Sequence, residues 1–138
     1  LGEQPEEAVV DIEERLRDVR ASSFSARYGR FCVFPSEQFF RVAALVLEPP
    51  TPFLALQQQI FTALQGLFVH PQEPYIPHIT LARLRHLPDK KKFLARLSHL
   101  SLSGGFRVDH FQLLVSDLRS DGAHYRVLAE FPLSLAVS

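Results

Sequence analysis

The apolar positions of the chain change period along its length. Between residues 5 and 20, Val9, Ile12, Leu16 and Val19 recur at helical spacing, Pro5 suits a first helical turn, and acidic residues crowd that turn. An amphipathic helix is predicted there. From Ser23 to Val33 and from Phe39 to Leu47 the chain is rich in Phe, Val and Leu without helical period, and Phe34-Pro35-Ser36 separates the runs, so they read as adjacent strands. Glu48-Pro49-Pro50 ends the second, after which Thr51 and Pro52 supply an N-cap and a first-turn proline for a helix. Its buried stripe is Phe53, Leu56, Ile60, Phe61, Leu64, Leu67 and Phe68.

Pro71 and Pro74 make Val69 to Pro74 a loop, and Tyr75 to Arg85 reads as a third strand. Pro88 opens a short basic helix with Phe93, Leu94, Leu97 and Leu100 inward, and Gly104-Gly105 breaks the chain ahead of a last pair of strands. In that pair Phe106 and Val108 share one parity while Phe111, Leu113 and Val115 continue in the other. A bulge near Asp109-His110 is therefore expected, followed by a hairpin around Ser120-Asp121-Gly122 into Tyr125, Val127, Ala129 and Phe131. Hairpin-linked strands mixed with helices predict an α+β fold with largely antiparallel sheets, not a doubly wound nucleotide fold.

Composition narrows the class. With 138 residues, 46% of them hydrophobic and 22% charged, the chain suits one globular domain rather than a disordered segment. No apolar run approaches the ~20 residues that span a bilayer, and no basic start precedes an apolar stretch. A soluble, cytoplasmic protein is expected, and the single Cys32, which has no internal partner, fits a reducing compartment. Zero formal charge argues against a general grip on duplex nucleic acid. The charges are segregated, however: residues 1 to 20 are acidic, whereas Arg83, Arg85, Lys90, Lys91, Lys92 and Arg96 face only Asp89 between residues 83 and 96. These basic residues belong either to a solvated surface or to a local anion site. The absence of Met, with Leu1 first, predicts a piece of a longer chain.

No P-loop, GxGxxG, CxxC or HExxH occurs. The six histidines offer no close pair at i, i+4 and no cysteine partner, so no zinc site is expected. His70, His86, His99, His110 and His124 have bland readings at loops, a helix end, the expected bulge and a strand start. His78 differs. In Pro77-His78-Ile79-Thr80-Leu81 the strand period puts His78 and Thr80 on one face, about 7 Å apart, and anchors the strand through Ile79 and Leu81 on the other. An imidazole that titrates near neutrality and a hydroxyl donor side by side suit a shared phosphate, although a half-exposed strand can carry the same pair without chemistry.

Pro77-His-Ile-Thr-Leu-Ala-Arg83 resembles the second H-x-T-x motif of the 2H phosphoesterase superfamily, most closely that of the RNA 2′,3′-cyclic phosphodiesterases formerly called 2′-5′ RNA ligases. The similarity extends to Leu1-Gly2-Glu3, which resembles the tail of the family's first motif strand. It includes the strand ending in Phe34-Pro35-Ser36, the strand from Arg41 to Leu47, and the closing segment from Gly122 to Leu133. It implies a two-lobed α+β fold of one domain over residues 1–138, lacking its first strand-helix-strand, with two H-x-T motifs facing a central cleft. Only the second is present: Thr51 and Thr62 are preceded two residues earlier by Pro49 and Ile60.

The resemblance further implies metal-independent hydrolysis of RNA or nucleoside 2′,3′-cyclic phosphate to the 2′-phosphomonoester by a monomer that needs no cofactor. His78 would be the proton acceptor and Thr80 the phosphate contact, and this chain alone would be inactive for want of the first histidine. Arg83 matches an Arg common after the motif, yet its five-residue distance from His78 puts it on the opposite face unless a bulge re-aims it. Tyr125, on the closing strand, either stacks on a base or packs in the core. The alternative function is a 2H-like nucleotide- or RNA-binding module without turnover.

Overall fold

A computed structural model describes residues 1–69 and 73–135. Its elements are α1 (Glu6–Arg17), β1 (Phe24–Phe34), β2 (Val42–Glu48), α2 (Pro50–Ala63), β3 (His78–Arg83), α3 (Lys90–His99), β4 (Gly104–Val108), β5 (His110–Arg119) and β6 (Gly122–Pro132). The α+β class and the mainly antiparallel pairing follow the pattern of the sequence. The chain divides into two compact units, one of Leu1–Phe24, Ala55–Glu73 and Arg107–Ser138, the other of Ser25–Leu54 and Pro74–Phe106.

The first unit is built on α1 and the antiparallel hairpin β5–β6. Helix α1 carries Glu6 and Glu7 in its first turn and Arg15 and Arg17 in its last, the arrangement its dipole favours. It buries Ile12 and Leu16 against Leu64 and Phe131, and Ile60, Phe111 and Leu113 pack around them. Stacking of Phe111 on Phe131, with ring centroids 4.9 Å apart, ties the two hairpin strands together at this core. Helix α2 stops at Ala63, short of the predicted Phe68, because Gly66 takes φ +86° and carries the chain out of the helical region. The predicted loop from Val69 to Pro74 falls partly on residues 70–72, outside those described.

The second unit is built on a four-stranded sheet in the order β3-β2-β1-β4. Strand β2 is its buried centre: Ala43, Ala44, Leu45, Val46 and Leu47 are all buried, as a continuous apolar run predicts for a strand covered on both faces. Helix α3 begins at Lys90 rather than at Pro88. The Asp89 carboxylate caps it by accepting from the Lys92 N–H at 2.9 Å. Leu100, expected inward, is the C-cap residue and is exposed.

The parity change near Asp109 has a different cause from the expected bulge. Residues 104–108 pair with β1 in one sheet and residues 110–119 with β6 in the other, so the chain changes sheets at Asp109. Gly104-Gly105 accordingly starts β4 instead of breaking the chain. A Cβ on Gly104 would lie 2.7 Å from Cζ of the Tyr28 ring, so any other residue there requires that ring to shift. Among the described residues no helix is long and apolar enough to cross a membrane.

Candidate active site

Strand β3 is the edge of the four-stranded sheet. Pro77, buried, leads into it and accepts from the Leu47 N–H at 2.9 Å, which fixes where the strand starts. Its register against β2 then decides which side chains meet. His78 stands opposite Val46, Ile79 opposite Leu45 and Thr80 opposite Ala44, after which the register shifts, with Ala82 opposite Ala43 and Arg83 opposite Val42. Leu81 is the extra residue of a β-bulge.

Opposed residues of an antiparallel pair share a face, and Val42, Ala44 and Val46 alternate along β2. His78, Thr80 and Arg83 therefore lie on one face of the sheet. Simple alternation would have sent Arg83 to the other side; the bulge returns it. The bulge also alters the predicted anchoring role of Ile79 and Leu81, which are 38% and 48% exposed. Backbone pairing with β2, not burial of these two side chains, holds β3 in place.

Strand β1 adds residues that periodicity did not single out. Arg30 is opposite Val46, Cys32 opposite Ala44 and Phe34 opposite Val42, so all three share the His78 face. A second irregularity, at Gly29, leaves Arg27 opposite Glu48 and brings Arg27 onto the same face. His78 and Arg30 flank Val46 from either side, about 10 Å apart at ordinary strand spacing. No ion pair engages Arg27, Arg30 or Arg83 among the described residues. The face thus presents three guanidiniums outside any ion pair, with the Glu48 carboxylate opposite Arg27, around an imidazole and a hydroxyl. Nothing in a single sequence announces Arg30 and Arg27, because two bulges intervene between local parity and the final face.

The His78 ring is held from two sides. Its centroid lies 4.8 Å from that of Phe34, and Nδ1 contacts the Ile76 carbonyl oxygen at 2.7 Å. A carbonyl oxygen only accepts, so the neutral ring carries its proton on Nδ1 and leaves the Nε2 lone pair available. On the same face, burial pushes the Cys32 thiol up while Arg30 pulls against it. Cys32 is therefore a poor nucleophile at neutral pH.

Tyr125 belongs to the other unit. It lies opposite Ser116 on β6 and is 61% exposed, so it is not a core residue. Among the other histidines, His124 is tied to Asp121 at 2.9 Å and His110 to Asp109 at 2.6 Å. His99 sits in the last turn of α3, His86 lies beside Arg85 and Lys90, and His70 is outside the described residues. A cavity of about 560 Å³ in the first unit, lined by Leu16, Ile60, Leu64, Phe111 and Leu113 among others, offers no ionisable side chain and no counterpart to this chemistry.

The chain as a whole is similar to known proteins. The family model described as 2′-5′ RNA ligase superfamily matches residues 1–119. An RNA 2′,3′-cyclic phosphodiesterase from Thermotoga maritima is 31% identical over 133 residues, covering 94% of this chain and 70% of that relative. One of the same name from Methanocaldococcus jannaschii is 25% identical, over 95% of this chain and 75% of that protein.

A crystal structure of a Thermus thermophilus protein superimposes with a TM-score of 0.76 at 25% identity, over 98% of this chain and 75% of that one. Escherichia coli LigT, solved in complex with 3′-AMP, has the same fold. Its TM-score is 0.72 at 20% identity, over 97% of this chain and 72% of LigT. With the family model matching all but the last nineteen residues and the motif strand in its expected place, the chain belongs to the 2′-5′ RNA ligase superfamily.

Proposed function

We propose that the His78 face binds the terminal phosphate of an RNA or nucleoside 2′,3′-cyclic phosphate, and that the parent protein hydrolyses it to the 2′-phosphomonoester. The observation that carries this reading is the common face of His78, Thr80 and Arg83, with His78 Nδ1 committed to the Ile76 carbonyl. The names of the curated relatives, RNA 2′,3′-cyclic phosphodiesterase, support the substrate class.

In the proposed reaction, His78 Nε2 takes a proton from a water molecule as its oxygen attacks phosphorus. The bond from phosphorus to O3′ breaks, and a second acid returns a proton to the departing O3′, leaving the phosphate on O2′. The Thr80 hydroxyl donates to a non-bridging oxygen, and Arg83 with Arg30 offsets the charge that develops there. General acid and base assistance each contribute on the order of 10² to 10⁴-fold, so both halves of the pair are required for useful turnover.

A second His-x-Thr is absent from the 138 residues. In the proposed reaction the acid is a residue of a first motif outside these 138 residues. The same fact favours one other reading, a nucleotide-binding module of the superfamily without activity. Incubating a nucleoside 2′,3′-cyclic phosphate with a chain that carries a first motif ahead of Leu1 separates the two. Appearance of the 2′-phosphate supports the enzyme, and nucleotide binding with no product supports the module.

A further inference from the structure

We infer that the end of the second unit's sheet, beside Arg83, is a docking groove for single-stranded RNA. The inference rests on the proposed reading of the His78 face and extends its substrate from a terminal nucleotide to the strand that leads up to it. The groove encloses about 340 Å³ and brings together Phe39, Arg41, Arg85, His86 and Lys90.

Its geometry is fixed. The Leu84 N–H donates to the Arg41 carbonyl at 2.7 Å, tying the segment after β3 to the one before β2. Lys90 Nζ donates to the Gln38 carbonyl at 3.0 Å and stands 5.8 and 5.7 Å from the ring centroids of Phe39 and Phe40. Two of its three protons remain for a partner. Phe40 is buried and stacks on Phe93 of α3, at 5.7 Å between centroids, whereas its neighbour Phe39 is 74% exposed. A rigid platform thus presents one bare aromatic ring beside a positioned ammonium.

The charge is uncompensated as well. No ion pair engages Arg41, Arg85 or Lys90 among the described residues; of the carboxylates close in sequence, Asp89 caps α3 and Glu37 lines a separate pocket against α3. Unpaired cations beside an exposed aromatic ring are what a single strand requires: phosphates take the cations and a base takes the ring. An acidic peptide would satisfy the cations and leave Phe39 uncovered. The groove lies at the end of the strand that carries the site, although its lining includes none of His78, Thr80 and Arg83. Arg85 lies two residues past Arg83, and the stretch from His78 to Arg85 spans about 20 Å at strand rise. A strand whose 3′ end reaches His78 can lay its preceding nucleotides over Arg83 and into the groove.

The test measures fluorescence anisotropy of a 5′-labelled oligoribonucleotide of about ten nucleotides ending in a 2′-phosphate, titrated with the 138-residue chain at several salt concentrations. A nucleoside 2′-phosphate is titrated in parallel. The oligonucleotide is expected to bind more tightly, and Phe39→Ala to weaken it by roughly 5- to 150-fold, the range for loss of one stacked base. Lys90→Gln, which keeps a donor to Gln38, is expected to lower the log–log salt slope by about 0.7, and Lys90→Arg to restore it. Neither Phe39→Ala nor Lys90→Gln should alter mononucleotide binding.

An oligonucleotide bound no more tightly than the mononucleotide would overturn the inference. So would affinities unmoved by Phe39→Ala and Lys90→Gln, or displacement by poly-glutamate as effective as by unlabelled RNA. If the oligonucleotide binds through Phe39 and Lys90 while the mononucleotide does not bind, the groove stands and the reading of the His78 face fails.

Discussion

Arg83 lies five residues from His78 and shares its face of the sheet, because Leu81 is an extra residue that reverses the alternation between them. Removing the Arg83 guanidinium is expected to weaken binding of a nucleoside 2′-phosphate by roughly 5- to 10-fold. That is below the usual range for a charged hydrogen bond, because Arg83 is exposed and solvent screens it. Deleting Leu81 shortens the separation to four residues, so plain alternation then keeps Arg83 on the His78 face, and this variant should retain affinity far better than Arg83→Ala. Calorimetric titration of both variants checks this, and unchanged affinity in Arg83→Ala would remove the residue from the site.

Strands and helices were legible wherever burial imposes a period. Ile12 and Leu16 mark α1, and the run from Ala43 to Leu47 marks β2. Local alternation fails where pairing departs from plain register: at Leu81, at Gly29, at Leu128, whose insertion opposite Leu113 and Leu114 puts Val127 and Ala129 on opposite faces, and at the change of sheet at Asp109. Each depends on a partner strand, which a local pattern does not contain. His78 and Thr80 were legible because no bulge separates them. Arg30 and Phe34 reach the same face only through β2, and the groove at Phe39 and Lys90 is assembled from segments about fifty residues apart.

The Cys32 thiol supplies a test of its own surroundings. Burial raises its native pKa above the ordinary value of 9.0. Above that value the unfolded chain releases the thiol proton while the native chain retains it, so the native state binds more protons and stability falls as pH rises towards the native pKa. Below it the thiol contributes no slope. The urea midpoint of the wild type should therefore drop more steeply above pH 9 than that of Cys32→Ala, and the two should run parallel near pH 7. Parallel curves throughout would show that the thiol is not desolvated.

Phe131 anchors the core of the first unit, 5% exposed and stacked on Phe111. Phe131→Ala should cost about 3 to 5 kcal/mol, a large share of a typical domain's stability. Leu118→Ala, at a residue 87% exposed, should change the melting temperature little. Equal effects of the two would contradict the placement of that core.

The central claim is that His78 accepts the proton in opening a 2′,3′-cyclic phosphate. Phosphorus NMR of a nucleoside 2′,3′-cyclic phosphate, incubated with a chain that includes a first His-x-Thr ahead of Leu1, tests it most directly. The cyclic resonance should give way to that of the 2′-monophosphate, and His78→Ala should abolish the conversion while retaining measurable nucleotide binding through Thr80 and Arg83. Full conversion by His78→Ala, or a 3′-monophosphate as the product, would contradict the account.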